Sequence, residues 1–149
     1  MKKAIFAIVG LALVAVLASR IADDSREPAS DGVRWTGEQD LPRDSPEVGM
    51  IEIPGVKDLL FDTSTVQKVN IYNPESNRCS IVFTLTVGDK ILWKSEECQP
   101  GFGFYEIELA EALSPGTYKA NLLHECYRDG NKLNSANIEI NLKVKEKTL

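Results

Sequence analysis

From residue 79 to residue 87 every second side chain is apolar. Cys79, Ile81, Phe83, Leu85 and Val87 share one face, and Ser80, Thr84 and Thr86 lie opposite. That period of two belongs to a half-buried strand, because successive side chains of a strand point to opposite faces. The run stops at Gly88-Asp89, a hairpin turn signal. Residues 90–94 return as a second run, with Ile91 and Trp93 set between lysines and Leu92. The same grammar recurs on both sides. Residues 50–53 read as a strand stopped by Pro54-Gly55, with residues 58–61 extending it after the break. Residues 67–72, 104–109, 116–127 and 136–144 complete the set, punctuated by Asn73-Pro74, Pro100-Gly101 and Asp129-Gly130. Seven short strands with turn signals every 8–12 residues predict an all-β, immunoglobulin-like or fibronectin III-like sandwich over residues 49–147.

Residues 113–118, Leu-Ser-Pro-Gly-Thr-Tyr, open the sixth of these strands. Such sandwiches often hold a tyrosine there whose hydroxyl ties back to the preceding loop. Tyr118 is expected in that role.

The N-terminus follows another rule. Lys2 and Lys3 precede fifteen residues, 4–18, without a charged or polar side chain, and Ser19 and Arg20 follow. A short basic region, an apolar core and small residues at a cleavage position make up an export signal. Residues 1–21 are therefore expected to be a cleaved signal peptide or an uncleaved membrane anchor. Either places the rest of the chain outside, since the lysines stay inside. No cysteine follows the apolar core, so no lipid attachment motif is present.

Residues 22–48 are rich in Asp, Ser, Arg, Glu and Pro and show no apolar periodicity. A stretch of this kind cannot bury enough surface to offset its ordering entropy, so a disordered linker is expected. Trp35 is its only large aromatic residue, expected to dock loosely or to sit exposed.

Asn77-Arg78-Cys79, Leu92-Trp93-Lys94-Ser95 and Glu125-Cys126, spread between Ile51 and Val144, resemble a group of exported proteins of Gram-positive bacteria. Those proteins combine a signal or anchor, a polar linker and one immunoglobulin-like sandwich. The resemblance implies fold and compartment and carries no catalytic residue. Cys98 departs from the group's pattern.

In an immunoglobulin-like topology the third and sixth strands are antiparallel neighbours. Cys79 opens the third and Cys126 lies near the end of the sixth, both with inward parity. A Cys79–Cys126 disulfide is the expectation, with a pair of reduced core cysteines as the competing reading. Cys98, near the same pole, is the odd thiol.

The remaining chemistry is sparse. A net charge of −5 and a pI near 5.0 disfavour nucleic acid as a partner. One histidine, His124, leaves little for a zinc site, and no cofactor or metal is expected. His124 and Cys126 share a strand face, which keeps a Cys/His enzyme as a remote alternative. No third group is marked to orient the histidine, and no catalytic residue is assigned. Binding through loops is left. Asn73, Glu75, Asn77, Arg78, Phe102, Arg128, Asp129, Asn131 and Lys132, in the loops 73–78, 96–103 and 128–135, are the candidate binding residues. The expected function is a non-catalytic binding module of the bacterial envelope, secreted or held at the outer face of the membrane, that recognises an envelope or surface protein. The alternative is a structural spacer or accessory subunit of an envelope assembly.

Overall fold

The computed structural model describes residues 29–38, 51–55 and 58–148. The N-terminal apolar segment, expected as a signal or anchor, lies outside them. Among the described residues no helix is long and apolar enough to cross a membrane.

Eight strands are present among the described residues: β1 (Val33–Arg34), β2 (Leu59–Asp62), β3 (Val66–Tyr72), β4 (Ser80–Val87), β5 (Lys90–Lys94), β6 (Phe102–Glu108), β7 (Gly116–Arg128) and β8 (Asn131–Lys145). They form two sheets. One has three strands in the order β1-β6-β3, and the other five in the order β2-β8-β7-β4-β5. All pairings are antiparallel except β2 with β8, which is parallel.

The alternating runs supply the core between the sheets. Ile81, Phe83 and Leu85 of β4 are fully buried, as are Leu122 of β7 and Leu142 of β8. Val69, Ile71, Phe104 and Ile107 join them from the three-stranded sheet. Phe83 meets Phe104 edge-to-face at 6.2 Å, and Trp93 meets Phe104 at 4.9 Å, so aromatic contacts bridge the two sheets. Each fully buried side chain of this kind contributes about 1.5–3 kcal/mol.

Turn chemistry sets the register of the long hairpin. Arg128 pairs with Asn131, which leaves a two-residue turn, and both Asp129 (φ 52°) and Gly130 (φ 75°) adopt positive φ. That is the conformation which matches the twist of the flanking strands. The Tyr118 hydroxyl donates to the Ser114 carbonyl at 2.7 Å, the tie expected from the sequence.

Three expectations are corrected. Residues 51–53 do not form a strand. The Asn77 side chain takes both backbone groups of Glu52, accepting from its N–H and donating to its carbonyl, each at 2.8 Å. A primary amide offers the same donor and acceptor as a strand neighbour, so one side chain holds the segment without a ladder. Residues 131–135, expected as loop, belong to β8, because the tight Asp129-Gly130 turn lets pairing begin at once. Finally, part of the expected linker is ordered on the domain. Val33–Arg34 pairs with β6, and Trp35 is buried.

Candidate functional site

The connections 73–79 and 95–101 and the β7–β8 turn meet at one pole, where two buried asparagines hold the loops. Asn73 is fully buried. Its amide nitrogen donates to the carbonyls of Cys79 and Cys98 at 2.8 and 2.9 Å. Its amide oxygen accepts from Asn77 Nδ2 at 2.8 Å. Its backbone is used as well, donating to the Phe102 carbonyl and accepting from the Gly101 N–H, both at 2.9 Å. Asn77 carries the chain of bonds on to Glu52, and the Glu52 carboxylate accepts from the Ser76 hydroxyl. A buried polar network with its donors and acceptors matched fixes the loops rather than loosening them.

This placement divides the nine candidate binding residues. Asn73, Asn77 and Phe102 are buried and belong to the scaffold, so they do not form part of an open binding surface. Phe102 packs in the core cluster with the Arg34 guanidinium 5.3 Å over its ring. Glu75, Arg78, Arg128, Asp129, Asn131 and Lys132 are exposed. Arg78, Glu97, Gln99, Tyr127, Arg128 and Asp129 surround a shallow depression. Its walls are tied: Arg128 Nε donates to the Arg78 carbonyl at 3.0 Å, and the Ser80 hydroxyl donates to Glu97 at 2.5 Å. Lys132 pairs with Glu125.

The expected Cys79–Cys126 disulfide is not formed. Cys79, Cys98 and Cys126 are free and buried. They cluster around Ile81, which lies opposite Cys98 on one side and opposite Cys126 on the other. Cys79 precedes Ile81 by two residues, and its thiol lies close enough to that of Cys126 to influence its titration. The parity argument thus brings the right thiols together, but as packed core groups. Burial pushes Cys98 up to about 12. Burial and the neighbouring Cys79 push Cys126 up to about 12 as well. Such thiols are poor nucleophiles and poor ligands at neutral pH.

His124 is also a core residue. It meets Phe83 edge-to-face at 5.2 Å, and burial lowers its pKa to about 4, so it is neutral at pH 7. Nδ1 lies 3.3 Å from the Leu122 carbonyl. Among the described residues no group of three His, Cys, Asp or Glu side chains is arranged to hold a metal ion.

A second constellation has no counterpart in the sequence reading. On the outer face of the three-stranded sheet, Trp35 lies flat between Tyr72 and Tyr105. The ring centroids are 4.7 and 4.3 Å away, with interplanar angles of 12° and 11°. Gly103 forms the floor, since a Cβ there would come within 2.8 Å of the indole. The signal available in the sequence was Gly103 interrupting an aromatic strand beside a lone linker tryptophan. A glycine within a strand marks a close approach of another group.

No family model, curated protein or solved structure matches the chain.

Proposed function

We propose that the protein is an exported, non-catalytic binding module whose immunoglobulin-like sandwich presents one pole to a protein of the cell envelope. The strand pairing supports the immunoglobulin-like reading. β3 pairs with β6 in one sheet, β8-β7-β4-β5 are contiguous in the other, and β2 adds in parallel to β8. The Tyr118–Ser114 tie at the start of β7 adds to it. The basic, apolar and small-residue grammar of residues 1–21 supports export.

One observation carries the binding reading: the Asn73–Asn77 network holds the pole rigid from inside while Arg78, Arg128 and Asp129 stay exposed above it. Fixed loops lose little entropy when a partner docks, which favours affinity. The side chains around the depression carry both signs of charge, which suits a polar protein surface. The burial of His124 and of all three thiols away from solvent supports the non-catalytic reading.

The test is a photo-reactive residue in place of Asn131, introduced into the full chain in cells. A discrete adduct with an envelope protein is expected, and it disappears when Arg78→Glu and Arg128→Glu are added without a change in melting temperature. An adduct confined to cytoplasmic proteins, or one indifferent to the two reversals, refutes the reading.

A further inference from the structure

The segment that carries Trp35 is bound to the sandwich as a ligand is bound. Its partners are all distant in sequence. The Asp31 N–H donates to the Glu97 carbonyl at 3.0 Å, and the Asp31 carboxylate accepts from the Glu96 N–H at 2.8 Å. The Ser30 hydroxyl accepts from the Gln99 N–H at 2.9 Å. The Trp35 N–H donates to the Gly101 carbonyl at 2.8 Å. Thr36 donates its N–H to the Tyr105 hydroxyl at 3.0 Å. Between these contacts, Val33 and Arg34 pair with Gly103 and Phe102 along the edge of β6. This is edge-strand addition, with main-chain bonds along the strand and one side chain in a slot.

We propose that residues 30–36 form an exchangeable edge strand, and that the slot between Tyr72 and Tyr105 takes this same strand from a second copy of the chain. Four observations lead there. The site fits this segment position by position. Gly32, at φ 81°, passes so close to Gly103 that a Cβ would lie 2.6 Å from its carbonyl oxygen. Trp35 fills the slot, and Thr36 reaches the rim. Every copy of the chain carries the same ligand.

The second observation is that the main core holds no side chain of the docked segment, which touches it only through Arg34 over the Phe102 ring and Gly32 beside Phe104. Trp35, Tyr72 and Tyr105 are all absent from the core cluster. The strand can leave without opening the sandwich. Third, the fit has a weak point: Trp35 Nε1 is buried with no hydrogen-bond partner among the described residues. An unmatched buried donor lowers the gain from docking and so eases release. Fourth, release leaves β6 as an open edge beside an aromatic slot. An edge of unpaired N–H and C=O groups is a template for another strand.

Exchange of an identical element keeps every contact and changes only which copy supplies it. Residues 39–50, twelve in number, join the strand to its own domain. Covalent connection makes docking of a chain's own strand intramolecular and so favours it over docking of another copy's strand. The closed monomer therefore dominates in dilute solution, and exchange is favoured where copies are crowded on a surface. This inference is independent of the pole and of its partner.

The test uses full chains in mild detergent and a labelled peptide of residues 29–38. Trp35→Ala frees the slot, and Tyr105→Ala cripples the slot while sparing the strand. Both positions lie outside the core cluster. Gly32→Val is a second strand variant that keeps the indole and expels the strand sterically. Trp35→Ala and Gly32→Val chains are expected to bind the peptide saturably, and the wild-type chain roughly tenfold or more weakly, because its own strand competes. Equimolar Trp35→Ala and Tyr105→Ala chains are expected to form a heterodimer by native mass spectrometry that neither forms alone. Two results overturn the proposal: peptide binding absent from both folded strand variants or unchanged when the peptide's tryptophan is alanine, or peptide binding without heterodimer formation. The second would make the slot a latch within one chain.

Discussion

The hydroxyl of Tyr118 donates to the carbonyl of Ser114, 2.7 Å away and four residues earlier in the chain. The bond closes the loop before β7 onto its first inward residue. Gly116 between them sits at φ 156°, a conformation that L side chains rarely adopt and that glycine accepts. The glycine and the hydroxyl tie together shape the corner. Tyr118→Phe keeps the ring and removes only that bond. It is expected to cost about 0.5–1.5 kcal/mol, read from urea denaturation midpoints at unchanged slope. A stability equal to wild type would show that the corner is held by packing alone.

Asn73 is expected to be more sensitive. Asn73→Ala removes the side-chain donor to the Cys79 and Cys98 carbonyls and one of the two acceptors of Asn77 Nδ2. The Cys98 carbonyl keeps the Ile81 N–H and Asn77 Nδ2 keeps the Glu52 carbonyl, so a loss of about 1–3 kcal/mol, the cost of one unsatisfied buried group, is expected. Asn73→Asp is the sharper control. It is nearly isosteric and keeps the acceptor for Asn77, but it faces a carboxylate toward two carbonyls. It should be at least as damaging as alanine. A well-tolerated Asp would mean that shape, and not the hydrogen bonds, is what the pole requires.

The strands were legible in the sequence because one side of each is buried. Ile81, Phe83 and Leu85 share one face, with Val82 and Thr84 on the other, and a one-residue slip would turn all three away from the core. Tyr118 was legible because its turn motif lies within a few residues of it. The interactions that escaped reading join residues far apart. Asn77 holds Glu52 across 25 positions, and Thr36 meets Tyr105 across 69. Composition made residues 22–48 look unable to fold, since they have almost no apolar surface of their own. Trp35 becomes ordered because Tyr72, Gly103 and Tyr105 supply the other half of the contact. Polarity also misled at the pole. Asn73 and Asn77 looked like loop surface, yet an amide can satisfy several backbone groups at once and so can be buried.

His124 makes stability depend on pH. Burial lowers its pKa from 6.5 to about 4, against the smaller favourable contacts with the Leu122 and Ala136 backbones. As pH falls from 7, the unfolded chain takes up a proton near 6.5 while the folded chain does not. Stability is therefore full above that range and is lost as pH falls toward 4. The loss by pH 4.5 amounts to about 2–3 kcal/mol. Carboxylates add their own acid dependence, so the comparison is with His124→Leu. The difference in stability between the two proteins should shift by that amount between pH 7 and pH 4.5. Parallel pH curves would place a charged or solvated imidazole in the native state.

The three thiols provide the last test, and it bears on both packing and redox state. With Cys79, Cys98 and Cys126 free and buried, a thiol reagent should label none of them in the native protein. After unfolding without reductant it should label all three. The intact mass should match three thiols. A mass lower by one pair of hydrogens, with a single labelled cysteine, would instead mean that two are bridged. Alkaline titration then probes the burial of Cys98 separately. Its pKa is pushed up from 9.0 to about 12, so above pH 9 the unfolded chain loses a proton that the folded chain keeps. Stability from this group is complete below pH 9 and falls as pH rises toward 12. At pH 10.5 the loss is about 2 kcal/mol. Cys98→Ala leaves a small void and lowers stability at every pH, but it should remove this part of the alkaline slope. A variant with the same slope as wild type would refute the buried, protonated thiol at that position.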